Sequence, residues 1–223
     1  MTAHRSLVLA VFLTVAPFVG RPVAADPVVQ FTGGMEQPAF GGPTTLGWSF
    51  TVGSSPITIG GLGIFDIGAN GLAESHMVGL WNSGGTLLAS ASIDSAGTHV
   101  ASTSSAGDWL FTALSSSVQL TTGDYVVGAF YAASSPDHFM GGNANPSTIS
   151  GVTFGQGQAA GGSSLTFPFP SDQLAGFFGP NLFTGAVPTP PVPEPKTYAM
   201  LMAGLVLLGF IARRRGKSLN AAA

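Results

Sequence analysis

The chain has 223 residues with seven Lys or Arg against ten Asp or Glu, and its formal charge of −3 hides an asymmetry, because no Lys or Arg stands between Asp26 and Pro190. That stretch of about 165 residues holds nine carboxylates and no guanidinium or ammonium for a phosphate, which excludes nucleic acid as a partner. With no cysteine in the chain, export adds no disulfide, and the mature fold must rest on its core.

In chain order the first element is a Sec-type signal peptide over residues 1–25. His4 and Arg5 precede an apolar stretch at 7–19, and Val23, Ala24 and Ala25 supply the small residues that signal peptidase reads before Asp26. Pro17 interrupts the apolar run and Arg21 follows it, which argues against a retained span. N-terminal sequencing of the exported form should therefore begin at Asp26; a mature species that keeps residues 7–19 would overturn this.

Residues 26–185 read as one all-β domain. Short β-prone runs punctuated by Gly, Ser, Asn and Asp occur at 46–52, 57–65, 76–82, 86–93, 109–114, 117–120 and 124–132, with further candidates at 148–154, 164–167 and 181–184. In the third run His76, Val78, Leu80 and Asn82 point one way and Met77, Gly79 and Trp81 the other, and either face suits a core. Ser83-Gly84-Gly85 marks a hairpin, Thr122-Gly123-Asp124 a tight turn, and the Gly- and Gln-rich stretch 155–164 a mobile loop. Strands of this number and spacing predict a two-sheet antiparallel sandwich of jelly-roll type.

The proline-rich segment 186–196 predicts an extended stalk. Beyond it an apolar run of sixteen residues, 197–212, would span about 24 Å as a helix, short of the roughly 30 Å hydrocarbon core. Arg213, Arg214 and Arg215 follow as a membrane stop, and 216–223 form a cytoplasmic tail. Pro193-Glu194-Pro195, a Gly- and Leu-rich single transmembrane helix and a terminal Arg cluster together resemble the bacterial PEP-CTERM sorting signal. The resemblance implies transient anchoring in the inner membrane, then processing near Pro193, Glu194 and Pro195 by an exosortase-like enzyme. A permanent, unprocessed anchor is the competing reading.

The runs Phe65 to Trp81 and Gly85 to Ser90, with Val118 to Gly128 later, carry a second resemblance. A Leu80-Trp81 strand end, a Gly turn, a Leu88-Ala89-Ser90 strand and the later Leu120, Gly123 and Tyr125 are similar to a β-sandwich module of unknown function in exported bacterial proteins. That module often lies beside carbohydrate-active or adhesive domains, and it brings no catalytic residue with it.

For chemistry, Asp66, Asn70 and Glu74 place oxygen donors around Gly71 and make a candidate Ca²⁺ loop, although Gly68 and Met77 stand where an EF-hand has ligands. An Asx-stabilised loop explains the same residues without a cofactor. His76, His99 and His138 are too far apart in sequence for spacing to join them. No Gly-x-Ser-x-Gly elbow or cysteine nucleophile occurs, and Trp48, Trp81 and Trp109 read as core residues ahead of sugar platforms. The expectation is a non-enzymatic surface or extracellular-matrix protein associated with exopolysaccharide. Its partners would be signal peptidase, the exosortase-like enzyme, the inner membrane in passing and the glycan. The alternative is a metal-dependent glycan hydrolase or lyase built on paired carboxylates.

Overall fold

A computed structural model describes residues 25–171 and 176–188, and the regular elements among these described residues are strands. In chain order these are β1 (Val29–Gln37), β2 (Thr44–Val52), β3 (Ile57–Ile67), β4 (His76–Asn82), β5 (Leu87–Ile93), β6 (Thr98–Val100), β7 (Gly107–Leu120), β8 (Gly123–Tyr131), β9 (Phe139–Thr148), β10 (Val152–Gly161), β11 (Phe169–Pro170) and β12 (Pro180–Thr184). Alternation explains the central ones: Leu46, Trp48, Phe50 and Val52 of β2 are buried while Thr51 on the opposite face is exposed. In β4 the same logic settles the open choice of face. His76, Val78 and Leu80 turn inward, and Met77 stays partly in solvent.

A six-stranded sheet runs β11-β10-β2-β8-β4-β5 and a four-stranded sheet β12-β3-β7-β6, with antiparallel pairing throughout. The pairing is nested: β4 and β5 form a hairpin, β3 pairs with β7, and β2 with β8. This is a ribbon doubled on itself and wrapped into a sandwich, as in a jelly roll. Consecutive strands β2 and β3, β3 and β4, and β7 and β8 lie in different sheets, so their connections cross the ends of the sandwich. A separate ribbon of β1 and β9 attaches to the four-stranded sheet by Val28 N–H to Leu182 O and Phe178 N–H to Met140 O, each 2.8 Å.

Aromatic rings fill the space between the layers. Phe31 stacks on Phe178 at 5.1 Å and meets the edge of Trp109, while Trp48 stacks on Phe154 at 5.8 Å. Burial of each such side chain contributes about 2–3 kcal/mol relative to exposure, which is how a domain with no Lys, Arg or Cys holds together. Two of the three tryptophans are core residues as expected, and their indole N–H groups donate inside it: Trp48 to Pro180 O at 2.9 Å and Trp109 to Gln30 Oε1 at 3.0 Å. Trp81 differs. It lies on the outer face of the six-stranded sheet over Gly79 and Gly128, closed off by the edge of Phe167.

Several expectations change. The stretch expected to be a mobile loop from 155 is largely β10, which pairs with β2 across an irregularity between Phe154 and Gly157. The unsatisfied edge of β2 recruits it despite a composition poor in β-formers. Residues 109–114 and 117–120 belong to the single strand β7, whose register against β3 jumps between Ile59 and Gly61. The candidate at 148–154 contains a turn, closed by Val152 N–H to Ile149 O at 3.2 Å, that divides β9 from β10. Residues 164–167 are not a strand, and β1, β6 and β9 arise where none was expected.

Candidate functional site

Two connections meet at one rim of the sandwich, residues 68–75 after β3 and 132–138 after β8. Asp66 closes the first on itself. It is 2 % exposed, its Oδ2 accepts the Gly71 N–H at 2.8 Å, and its carbonyl accepts the Ala69 N–H at 3.2 Å. Positive φ at Gly68, Ala69 and Gly71 lets the chain turn tightly enough for both bonds. Asp66 and Asn70 then line an open cavity of about 350 Å³ together with Glu36, Asp137 and His138. At its edge His138 Nδ1 pairs with Glu36 Oε1 at 2.5 Å.

Asp137 ties the two connections together. The Ala73 N–H donates to both of its oxygens, at 2.9 and 3.1 Å, the Glu74 N–H to Oδ2 at 3.0 Å, and His76 Nε2 lies 3.0 Å from the same Oδ2. Partial burial by itself pushes this carboxyl up. The bonds from Ala73, His76 and Glu74 and the charge of the His76 ring outweigh burial and hold it below the usual carboxylate range.

His76 is 1 % exposed at the start of β4, with Nδ1 3.0 Å from the carbonyl oxygen of Phe130 and its ring 4.7 Å from that of Tyr131. Burial, and behind it the charge of Asp137, pushes the Tyr131 phenol far above its ordinary range. The phenol packs against Gly179, where a Cβ would come within 2.0 Å of the oxygen, so only glycine fits. Glu74 completes the group by accepting a short hydrogen bond from the Ser135 hydroxyl. One ligand atom each from Glu74, His76 and Asp137 lie within 4.8 Å of one another.

Of the residues singled out from sequence, Glu74 thus joins His76 and Asp137, while Asp66 and Asn70 sit along the neighbouring cavity. The inward slot of His76 in an otherwise apolar alternation was the available signal for it. Asp137 had none, since 61 residues separate it from His76. His99 is exposed on β6.

At the other end of the sandwich, Ala25 and Asp26 are exposed, and the Asp26 backbone pairs with Thr184 through N–H to Oγ1 and Thr184 N–H to O, both 3.0 Å. The chain leaves the domain at the same place. Val187 is buried against Gly61, and the Pro188 carbonyl accepts the Thr98 hydroxyl at 3.1 Å, so the first residues of the stalk segment lie on the domain. The apolar core of the expected signal peptide, Pro193, Glu194 and Pro195, the apolar run at 197–212 and Arg213, Arg214 and Arg215 lie outside the described residues.

No curated protein and no solved structure matches this chain. Residues 191–215 match the PEP-CTERM protein-sorting motif, and with that tail the chain is an exported protein carrying a membrane-anchored signal that exosortase processes.

Proposed function

We propose that the protein is a non-enzymatic component of the cell surface or extracellular matrix that associates with exopolysaccharide. The observation that carries this is the joining of an exosortase sorting tail to a β-sandwich without a Lys or Arg, whose polar groups are hydroxyl, amide and carboxylate. Such a surface engages neutral glycan through hydrogen bonds, and acidic glycan through bridging cations such as Ca²⁺. The acidic cavity is the feature that a glycan hydrolase would use. Its Asp137, held ionised, suits the base and not the acid of such a carboxylate pair.

Calorimetry of the mature protein against the exopolysaccharide of its own cell should give Kd values in the micromolar to millimolar range, about −4 to −8 kcal/mol. Added Ca²⁺ should tighten binding if the glycan is acidic. No heat in either condition points to a structural filler, and depolymerisation of the glycan points to the hydrolase or lyase.

A further inference from the structure

The His76 ring faces two acceptors. A carbonyl oxygen only accepts, so Nδ1, 3.0 Å from Phe130 O, carries hydrogen and the Nε2 lone pair points at Asp137 Oδ2, also 3.0 Å away. That oxygen is a carboxylate acceptor as well. Two lone pairs at this separation need a positive species between them, either the second ring proton of the metal-free protein or a metal ion that takes its place. Charge balance favours the ion. With Glu74 in the same group, a proton leaves two carboxylates against one imidazolium, in a domain with no Lys or Arg to compensate. A divalent ion on a neutral imidazole brings the trio to neutrality.

We propose that Glu74, His76 and Asp137 bind one borderline divalent transition ion of the Zn²⁺ class, a different ion and a different donor set from the Ca²⁺ loop. An imidazole among the donors selects this class over Ca²⁺, which takes oxygen alone. The 3.0 Å between Nε2 and Oδ2 is close to the roughly 3.3 Å edge of a tetrahedron with bonds of about 2.0–2.1 Å. Both donors are already oriented from behind: the Phe130 carbonyl fixes the imidazole tautomer, and the Ala73 and Glu74 N–H groups hold the Asp137 carboxylate. Glu74 closes on the ion by swinging from the Ser135 hydroxyl, which then serves as its outer partner or bonds to water in an open coordination position.

The test is a calorimetric titration of ZnCl₂ into the untagged, chelator-treated full-length chain in detergent micelles. One equivalent should bind with a Kd in the micromolar range or tighter. Glu74→Gln should weaken it by at least about 10-fold, and His138→Ala, which breaks only the neighbouring Glu36 pair, should leave it unchanged. Glu74 is only partly buried, so Glu74→Gln keeps the fold even if the buried His76→Ala does not. The ¹⁵N resonance of His76 Nε2 at saturating Zn²⁺ supplies a second readout and should be that of a metal-bound nitrogen. No one-equivalent binding, equal binding by Glu74→Gln, loss of binding in His138→Ala, or a protonated Nε2 in excess Zn²⁺ would each overturn the assignment.

Discussion

Asn181→Ala should lower the stability of the domain by about 3 kcal/mol, a large fraction of what a single domain has to lose. Asn181 is fully buried on β12, and its side chain stands in for backbone pairing between β12 and the start of β1. Its Oδ1 accepts the Val29 N–H at 3.1 Å and the Leu182 N–H at 2.8 Å, while Nδ2 donates to the Val29 carbonyl at 2.8 Å. Alanine leaves these backbone groups buried without the amide, and each unsatisfied group costs about 1–3 kcal/mol. In a domain of this size the loss corresponds to a fall of roughly 6–12 °C in Tm. Urea unfolding should show a lower midpoint at unchanged slope, and a loss below about 1 kcal/mol would mean that the ribbon of β1 and β9 is held by packing and not by this amide.

Glu194→Ala should leave the full-length chain in the inner membrane. The residue lies between Pro193 and Pro195 within the matched sorting motif, where two prolines hold the backbone extended and remove its N–H donors, so the carboxylate is the distinctive group left for an enzyme to recognise. The apolar run behind it is barely long enough to span, which suits a segment meant to be released. Fractionation and intact mass of wild type and variant in a cell with exosortase provide the measurement. If the variant is processed to the same size and location as wild type, recognition does not run through Glu194.

The expected signal peptide and the sorting tail flank a domain whose entry and exit are stitched together at Asp26 and Thr184. An Asp26→Asn change keeps those backbone bonds. Pro27, bridged to Phe183, and Val28, whose N–H donates to Leu182 O, lie along β12 just ahead of β1, so trimming past Asp26 would reach into the fold. The expected first residue of the exported form is therefore also one whose backbone is paired within the domain.

Much of this protein was legible in the linear sequence, for reasons that differ between its parts. The sorting tail is an address read as an extended segment followed by an apolar one, so composition and order carry it without a fold. The strands β2, β4, β5 and β8 were recognisable because alternating apolar residues with β-branched or aromatic character impose one buried face whatever the partner. The hairpin at Ser83-Gly84-Gly85 followed from local backbone freedom, with Gly85 at φ +81°.

Tertiary structure decided the rest, because pairing and burial are properties of partners that the local chain does not contain. β10 is a strand because the edge of β2 leaves backbone groups to satisfy, and β9 carries Gly, Asn and Pro that by themselves disfavour a strand yet lies along β1. Asp66, Asn70 and Glu74 share a loop, but closing that loop consumes Asp66 and turns Glu74 toward another connection. There it meets His76, fixed inward by the pleat of β4, and Asp137, brought across 61 residues from His76 by the crossing of the chain between sheets. Sequence spacing predicts which donors a single turn can gather; only the wrapped sandwich determines which donors from separate connections face one another.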